Sequence, residues 1–331
     1  MSTVREQGRN GSRASRRAWL PLVAVALLAL AACDDGSPGA AASSSPRASH
    51  SSPAPTTSAA PTTPPGDPVH VRTFEADGRT YGVGMPIIVY FSKKITDSSA
   101  FRKAATVTVN GEKADGAWYF EHSQRDDEAL EAHFRLQQYW PGHAAIHLDL
   151  PLEGKSAGTG LTFDNSVTLD IATGAAQVAQ VDGTAHTMTV TSDGQPVRTL
   201  EVSLGKADTP TYLGTAVVMA KSNPEEMKSD PGETPAYDIE VPWSVRVTNS
   251  GEFIHDAYWN GSIGSANLSH GCTNLSPADA EWYYGFAQIG DPVTWTNTGT
   301  GTVIPVEDGW GDWNLDWATW SQGGLVPAGG N

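Results

Sequence analysis

Cysteine is almost missing from this chain. Of 331 residues only Cys33 and Cys272 carry a thiol, which excludes a disulfide framework as the source of stability. Basic residues are also few, with 21 Lys and Arg against 37 Asp and Glu and a formal charge of −16. Residues 1–32 hold five arginines and one glutamate, so the chain without them carries −20. Acidity on that scale repels phosphate backbones and argues against nucleic acid as a partner. Long apolar runs are missing too. The one candidate, "AWLPLVAVALLALAAC" at 18–33, is too short for a comfortable membrane span.

That run follows a basic leader of Arg5, Arg9, Arg13, Arg16 and Arg17 and ends in small residues, the layout of a secretory signal. Leu30-Ala31-Ala32-Cys33 resembles the lipobox of bacterial lipoproteins, which implies lipidation of Cys33 and a membrane anchor outside the cytoplasm. "SRRAWL" resembles a twin-arginine signal. A plain signal peptide cut near Cys33, or a short anchor helix, is the alternative. Residues 34–66 are nearly all Ser, Ala, Pro, Thr and Gly. Such a segment buries too little apolar surface to offset its ordering entropy, so a disordered tether is expected.

The rest is long enough for two domains with cores of their own, and its signals are mainly β. From 67 to 173, "PIIVYFSKKI", "ATVTV", "GAWYF", "EAHFRLQ", "AAIHLDL" and "NSVTLDI" are β-branched or aromatic runs of strand length. Asn110-Gly111 marks a hairpin. No helix-length periodic segment interrupts them, and an immunoglobulin-like β-sandwich is the economical reading. A second strand series runs through "HTMTVTSDGQPVRTLEVSLG", "GTAVVMA" and "WSVRVT" in a domain placed at 174–306. One helix is expected there. Ser276 can cap it, Pro277 suits the first position, and Asp279 can close a capping box. Trp282, Phe286 and Ile289 then recur at helical spacing, and Gly290 ends the run.

In the tail, 307–331, Trp310, Trp313, Trp317 and Trp320 recur every three or four residues. A carbohydrate-binding strip is conceivable. A short helix docking its apolar face on the second domain is the commoner use of such a stripe.

The chemistry centres on "NLSHGCTNLSP", 267–277. A lone thiol becomes a nucleophile when a neighbour favours the thiolate. His270 lies two residues before Cys272 and His255 seventeen before, the latter at what reads as a strand exit, facing the loop across a small sheet. Gly271 frees the backbone to turn, which can present the Gly271 and Cys272 amides as an oxyanion hole. Two alternatives stay open: a buried structural cysteine beside two surface histidines, and a zinc site. Zinc wants three or four ligands, and only one Cys and two His are at hand, so no metal is expected.

His255, thirteen residues, then Ser269-His270-Gly271-Cys272-Thr273-Asn274 resembles the signature of the L,D-transpeptidase catalytic domain, the YkuD domain. "GKADTPTYLGT" at 205–215, "YGVGMPIIVYF" and "YWP" in the Ig-like part, and "GDWN" in the tail extend the resemblance over about 68–320, closest to the actinobacterial lipoprotein branch. It implies a β-rich catalytic domain with one or two short helices, no cofactor, Cys272 as nucleophile and His255 as base. It also implies that the Asp256 carbonyl, rather than its carboxylate, orients that histidine. Tyr237 matches a family tyrosine near the oxyanion site. Ser250, Gly251 and Asn274 match substrate-contacting positions, and Trp259, His270 and Ser269 line the same pocket. Residues 222–236 depart from the family's lid in length and charge, which leaves any role for Met227 in doubt. The implied partners are peptidoglycan stem peptides as donor and acceptor, with carbapenems as covalent inhibitors, at the outer membrane face opposite the cell wall. Hydrolysis in place of transfer, as an L,D-carboxypeptidase, and a non-enzymatic wall-binding lipoprotein are the rival readings.

Overall fold

The computed structural model describes residues 66–229, 237–299 and 301–326. The leader, Cys33 and the tether to residue 65 lie outside the described residues. No helix among those described is long and apolar enough to cross a membrane.

The chain is mainly β. Its first part is an Ig-like sandwich of two principal sheets. One orders Val71–Thr73, Ile87–Phe91, Leu130–Leu136 and Gly116–Glu121. The other orders Thr80–Tyr81, Val167–Thr173, Ala145–Leu150, Thr106–Val109 and Glu112–Lys113. Alternation places Ile146, Leu148 and Leu150 inward, opposite Phe91, Phe120 and Phe163, in one core. Asn110 at φ 53 and Gly111 at φ 85 make the expected tight turn. A six-residue helix, Ser99–Ala104, interrupts the strands. Only Phe101 of it is buried, which is too little periodicity to be read from sequence.

After Thr173 the chain enters a second body. A five-stranded sheet orders Gln195–Glu201, Thr187–Ser192, Gln177–Asp182, Pro292–Thr296 and Gly214–Val217. A four-stranded sheet orders Ala220–Ser222, Ser244–Arg246, Phe253–Asp256 and Thr273–Leu275. Val181, Val190, Leu200, Ile254, Leu275 and Trp295 close the core between them. A hairpin, Glu225–Lys228 with Asp238–Val241, stands at the site.

The helix spans Pro277–Phe286. Ser276 accepts the Asp279 amide, and the Asp279 carboxylate accepts the Ser276 hydroxyl. It stops short of the expected Ile289–Gly290. At Ala287 the backbone becomes extended because the next residues join the two domains. Gly82 and Gly84 donate to the Ile289 and Gly290 carbonyls at 2.7 and 2.9 Å. A Cβ on Gly82 would collide with the Asp291 backbone, so only glycine permits this approach.

The tail corrects another expectation. It packs on the Ig-like sheet as well as on the second domain. The outer face of Leu130–Leu136 presents Glu131, His133 and Arg135, all buried. They are covered because the Arg135 guanidinium lies 4.4, 4.7 and 5.5 Å from the ring centres of Trp320, Trp313 and Trp317. Trp320 also stacks on Tyr119 and donates to the Ala117 carbonyl. The stripe is not one helix but a 3-10 turn, Asp312–Asn314, and a short helix, Trp317–Trp320. Asn314 and Asp308 reach the other way, Asn314 bonding both the amide and the carbonyl of Thr215 and Asp308 accepting the Ser250 amide and hydroxyl.

Candidate active site

Phe253–Asp256 and Thr273–Leu275 run parallel, with Ile254 beside Thr273 and His255 beside Asn274. Side chains alternate between the faces of a sheet. Ile254 therefore enters the core, and Thr273 accepts the Trp295 indole N–H at 2.9 Å. His255, Asn274 and, two residues earlier, Cys272 share the opposite face. That register brings Cys272 and His255 to one cavity across seventeen residues of sequence.

His255 Nδ1 donates to the Asp256 carbonyl at 2.6 Å, which leaves Nε2 as the acceptor. Asn274 Nδ2 donates to Nε2 at 3.2 Å, and Asn260 Nδ2 donates to Asn274 Oδ1 at 3.1 Å. Burial pushes the imidazole down to about 4. The Asp256 carboxylate takes no part; its Oδ1 is buried without a hydrogen bond, and burial raises its pKa. The thiol of Cys272 donates to the Gly251 carbonyl at 3.8 Å. Burial pushes it up to about 12, and the nearby Glu252 carboxylate acts in the same direction. The resting pair is thus a neutral thiol beside a neutral imidazole.

The loop before Cys272 is held from two sides. Ser269 Oγ donates to the Cys272 carbonyl at 2.6 Å and accepts the Gly271 amide at 3.1 Å. Gly271 sits at φ 133, a left-handed conformation that favours glycine. Its amide is therefore committed to Ser269 in this state. That corrects the expectation that it stands free as an oxyanion donor. From the other side Thr211 donates to the Gly271 carbonyl at 2.6 Å, and Thr209 and Lys206 bond the Ser269 carbonyl.

Cys272, His255, Asn274, Ser269, His270, Trp259 and Tyr237 line one cavity of about 450 Å³, roofed by Met227 and Ile239 of the hairpin. Trp259 lies 6.1 Å from the His255 ring, and Tyr237 lies 5.6 Å from that of His270. His270 faces Lys206 Nζ at 3.0 Å rather than the thiol. Ser250 and Gly251 do not line that cavity, although the Gly251 carbonyl accepts the Cys272 thiol. They line a second cavity of about 400 Å³ on the far side of Gly271, bordered by Glu252, Tyr212 and Thr302. Asp308 takes both the Ser250 amide and its hydroxyl. Residues 230–236 of the hairpin tip lie outside the described residues.

Sequence reasoning missed three participants. Glu252, buried beside Gly271, accepts the Tyr212 amide at 3.0 Å, and burial pushes its carboxyl up to about 8. Thr211 was visible only as part of the "TPT" segment. Asn260 carried no signal, because its role exists only through Asn274.

Residues 176–294 match the L,D-transpeptidase catalytic domain, and residues 41–156 match a bacterial Ig domain. The chain is 31% identical over 224 residues to L,D-transpeptidase 1 of Mycobacterium tuberculosis (strain ATCC 25618 / H37Rv), covering 66% of this chain and 81% of that one. It belongs to the L,D-transpeptidase family. L,D-transpeptidase 2 of Mycobacterium tuberculosis (strain CDC 1551 / Oshkosh) is 32% identical over 253 residues, 75% of this chain. The match spans 60% of that relative's length. A solved L,D-transpeptidase in complex with imipenem superposes with a TM-score of 0.57 at 29% identity, over 68% of this chain and 97% of that structure. The Ig match begins at residue 41, inside the segment read as tether, whereas the described strands begin at Asp67.

Proposed function

We propose that this chain is a peptidoglycan L,D-transpeptidase that works through a cysteinyl acyl-enzyme. The observation that carries the reading is the His255 imidazole, locked as the Nδ1–H tautomer by the Asp256 carbonyl on the sheet face that also presents Cys272. In the first half-reaction Cys272 Sγ attacks the carbonyl that follows the diamino acid of a tetrapeptide stem. His255 Nε2 takes the thiol proton and returns it to the departing D-alanine amine. In the second, the side-chain amine of a neighbouring stem attacks the thioester and gives a 3→3 cross-link. His255 takes the amine proton and returns it to the sulfur.

The resting thiol and imidazole are both neutral, so the proton moves as the sulfur attacks rather than beforehand. For that, Sγ turns from the Gly251 carbonyl to Nε2, and Asn274 yields its hydrogen bond. The Cys272 amide and the Tyr237 side chain, in the same cavity, are the groups proposed to receive the developing oxyanion. The site also takes a carbapenem as a strained acyl donor. We further propose lipid anchoring at Cys33, supported by the "LAAC" pattern.

Incubating the folded body with stem tetrapeptide and weighing the products tests the reading. Cross-linked dimer and free D-alanine are expected. Tripeptide without dimer makes it a carboxypeptidase, and unchanged tetrapeptide overturns the enzyme reading.

A further inference from the structure

The outer face of the Ig-like sheet holds a second cluster of polar side chains. In the antiparallel pair of Gly116–Glu121 and Leu130–Leu136, Glu121 lies directly opposite Glu131. Like charges in that relation repel, and His133, two residues on, shares their face. Because the tail covers this face, Glu121 is 1% exposed, Glu131 4% and His133 0%. Burial removes water as a partner, yet both oxygens of Glu121 and Nε2 of His133 make no hydrogen bond.

Nε2 lies 3.4 Å from Glu131 Oε1 and 3.8 Å from Glu121 Oε1. Charge-assisted hydrogen bonds are shorter, at about 2.8 Å. Donor atoms around one tetrahedral cation with bonds of about 2.1 Å stand about 3.4 Å apart. All three donor atoms lie within 4.8 Å of one another. The outer positions are already fixed. His133 Nδ1 is bonded to the Asp312 carboxylate at 3.0 and 3.1 Å, and Ser123 donates to Glu131 Oε2 at 3.0 Å. A carboxylate on Nδ1 turns the Nε2 lone pair toward a metal and strengthens it as a ligand.

We propose that Glu121, Glu131 and His133 bind one divalent first-row cation of the zinc type. One imidazole with two carboxylates suits zinc better than magnesium or calcium, which prefer oxygen alone. The ion's charge offsets the facing carboxylates. Through Asp312 it pins the tail to the Ig-like sheet, and Asn314, two residues on, holds strand Gly214–Val217 of the catalytic domain. The metal is structural, a clamp between the two domains, and distinct from the cysteine loop.

The test strips the full chain with chelator, reloads it with zinc sulfate, removes free ion by gel filtration and measures zinc content and melting temperature. One zinc per chain is expected, with a rise of about 5 °C. Uptake should persist in the Cys33→Ala, Cys272→Ala double variant, which removes both thiols as rival ligands, and fall by at least tenfold in Glu121→Gln and Glu131→Gln. X-ray absorption at the zinc edge should show nitrogen and oxygen neighbours and no sulfur, a readout that needs no variant. If stripped protein retains no zinc and melts unchanged, the cluster is held by protons and the proposal is wrong. Zinc retained equally by both glutamine variants, or bound through sulfur, overturns it as well.

Discussion

Asn274 Nδ2 stands 3.2 Å from His255 Nε2, on the lone pair that the proposed mechanism uses for the Cys272 proton. The resting site is therefore latched, its base occupied by an amide and its thiol turned toward the Gly251 carbonyl. In the proposed mechanism a ligand draws Asn274 away and so releases the base, while the empty site keeps a protonated sulfur.

Latching predicts unusual alkylation behaviour. A thiol pushed up to about 12 is protonated throughout the neutral range. Its thiolate fraction grows about tenfold per pH unit. The rate of Cys272 modification by iodoacetamide should therefore keep climbing from pH 7 to 10, with a shallower stretch near pH 8 where Glu252 ionises. A plateau below pH 9 would show a preformed thiolate–imidazolium pair instead.

Glu252 adds to that suppression. Its carboxyl, pushed up to about 8, is charged at pH 9 and mostly neutral at pH 6, and its charge raises the thiol. Glu252→Gln keeps an acceptor for the Tyr212 amide and removes the charge. Alkylation should speed up by about threefold at pH 9 and stay unchanged at pH 6. Equal rates at both pH values would place Glu252 outside the electrostatics of the site.

The base should be separable from its neighbour. His255→Ala should lower kcat/KM for imipenem acylation by about 10³-fold, whereas Asp256→Asn should cost under about fivefold, since only the carbonyl touches the imidazole. Burial pushes His255 down to about 4. It remains a neutral base on acidification, and acylation should show no histidine limb between pH 7 and 5. Equal losses in the two variants would return the carboxylate to the mechanism.

Cys272→Ala should form no imipenem adduct by intact mass while keeping the native melting temperature within about 3 °C, because the half-buried loop loses one small atom. An adduct on that variant would assign the nucleophile elsewhere.

The tail should matter for stability rather than chemistry. Trp320 is fully buried between Tyr119 and Arg135. Trp320→Ala should cost about 3–5 kcal/mol in chemical denaturation. A loss below about 1 kcal/mol would mean that the tail is not bound to the Ig-like sheet in solution.

The division of labour between sequence and structure follows the range of the forces involved. Alternation marked the strands of both domains, Asn110-Gly111 marked a turn, and Ser276-Pro277 marked the start of a helix, since each is settled within a few residues of chain. The spacing from His255 to Cys272 was legible because one parallel register converts it into proximity. Three features had no local signature. Ile289 continues a helical pattern that Gly290 would end, yet the helix stops sooner because Gly82 and Gly84 bond the Ile289 and Gly290 carbonyls. The Trp stripe has helical spacing, yet it breaks into two turns because Arg135 and Tyr119 wait on the neighbouring sheet. Asn260 and Glu252 look like ordinary polar residues until the fold sets one against Asn274 and the other beside the thiol. Residue types and periodicities settle what a segment can form. The partner across a fold decides which carbonyl is free, which charge is desolvated and which proton is held, because those depend on contacts between residues far apart in the chain.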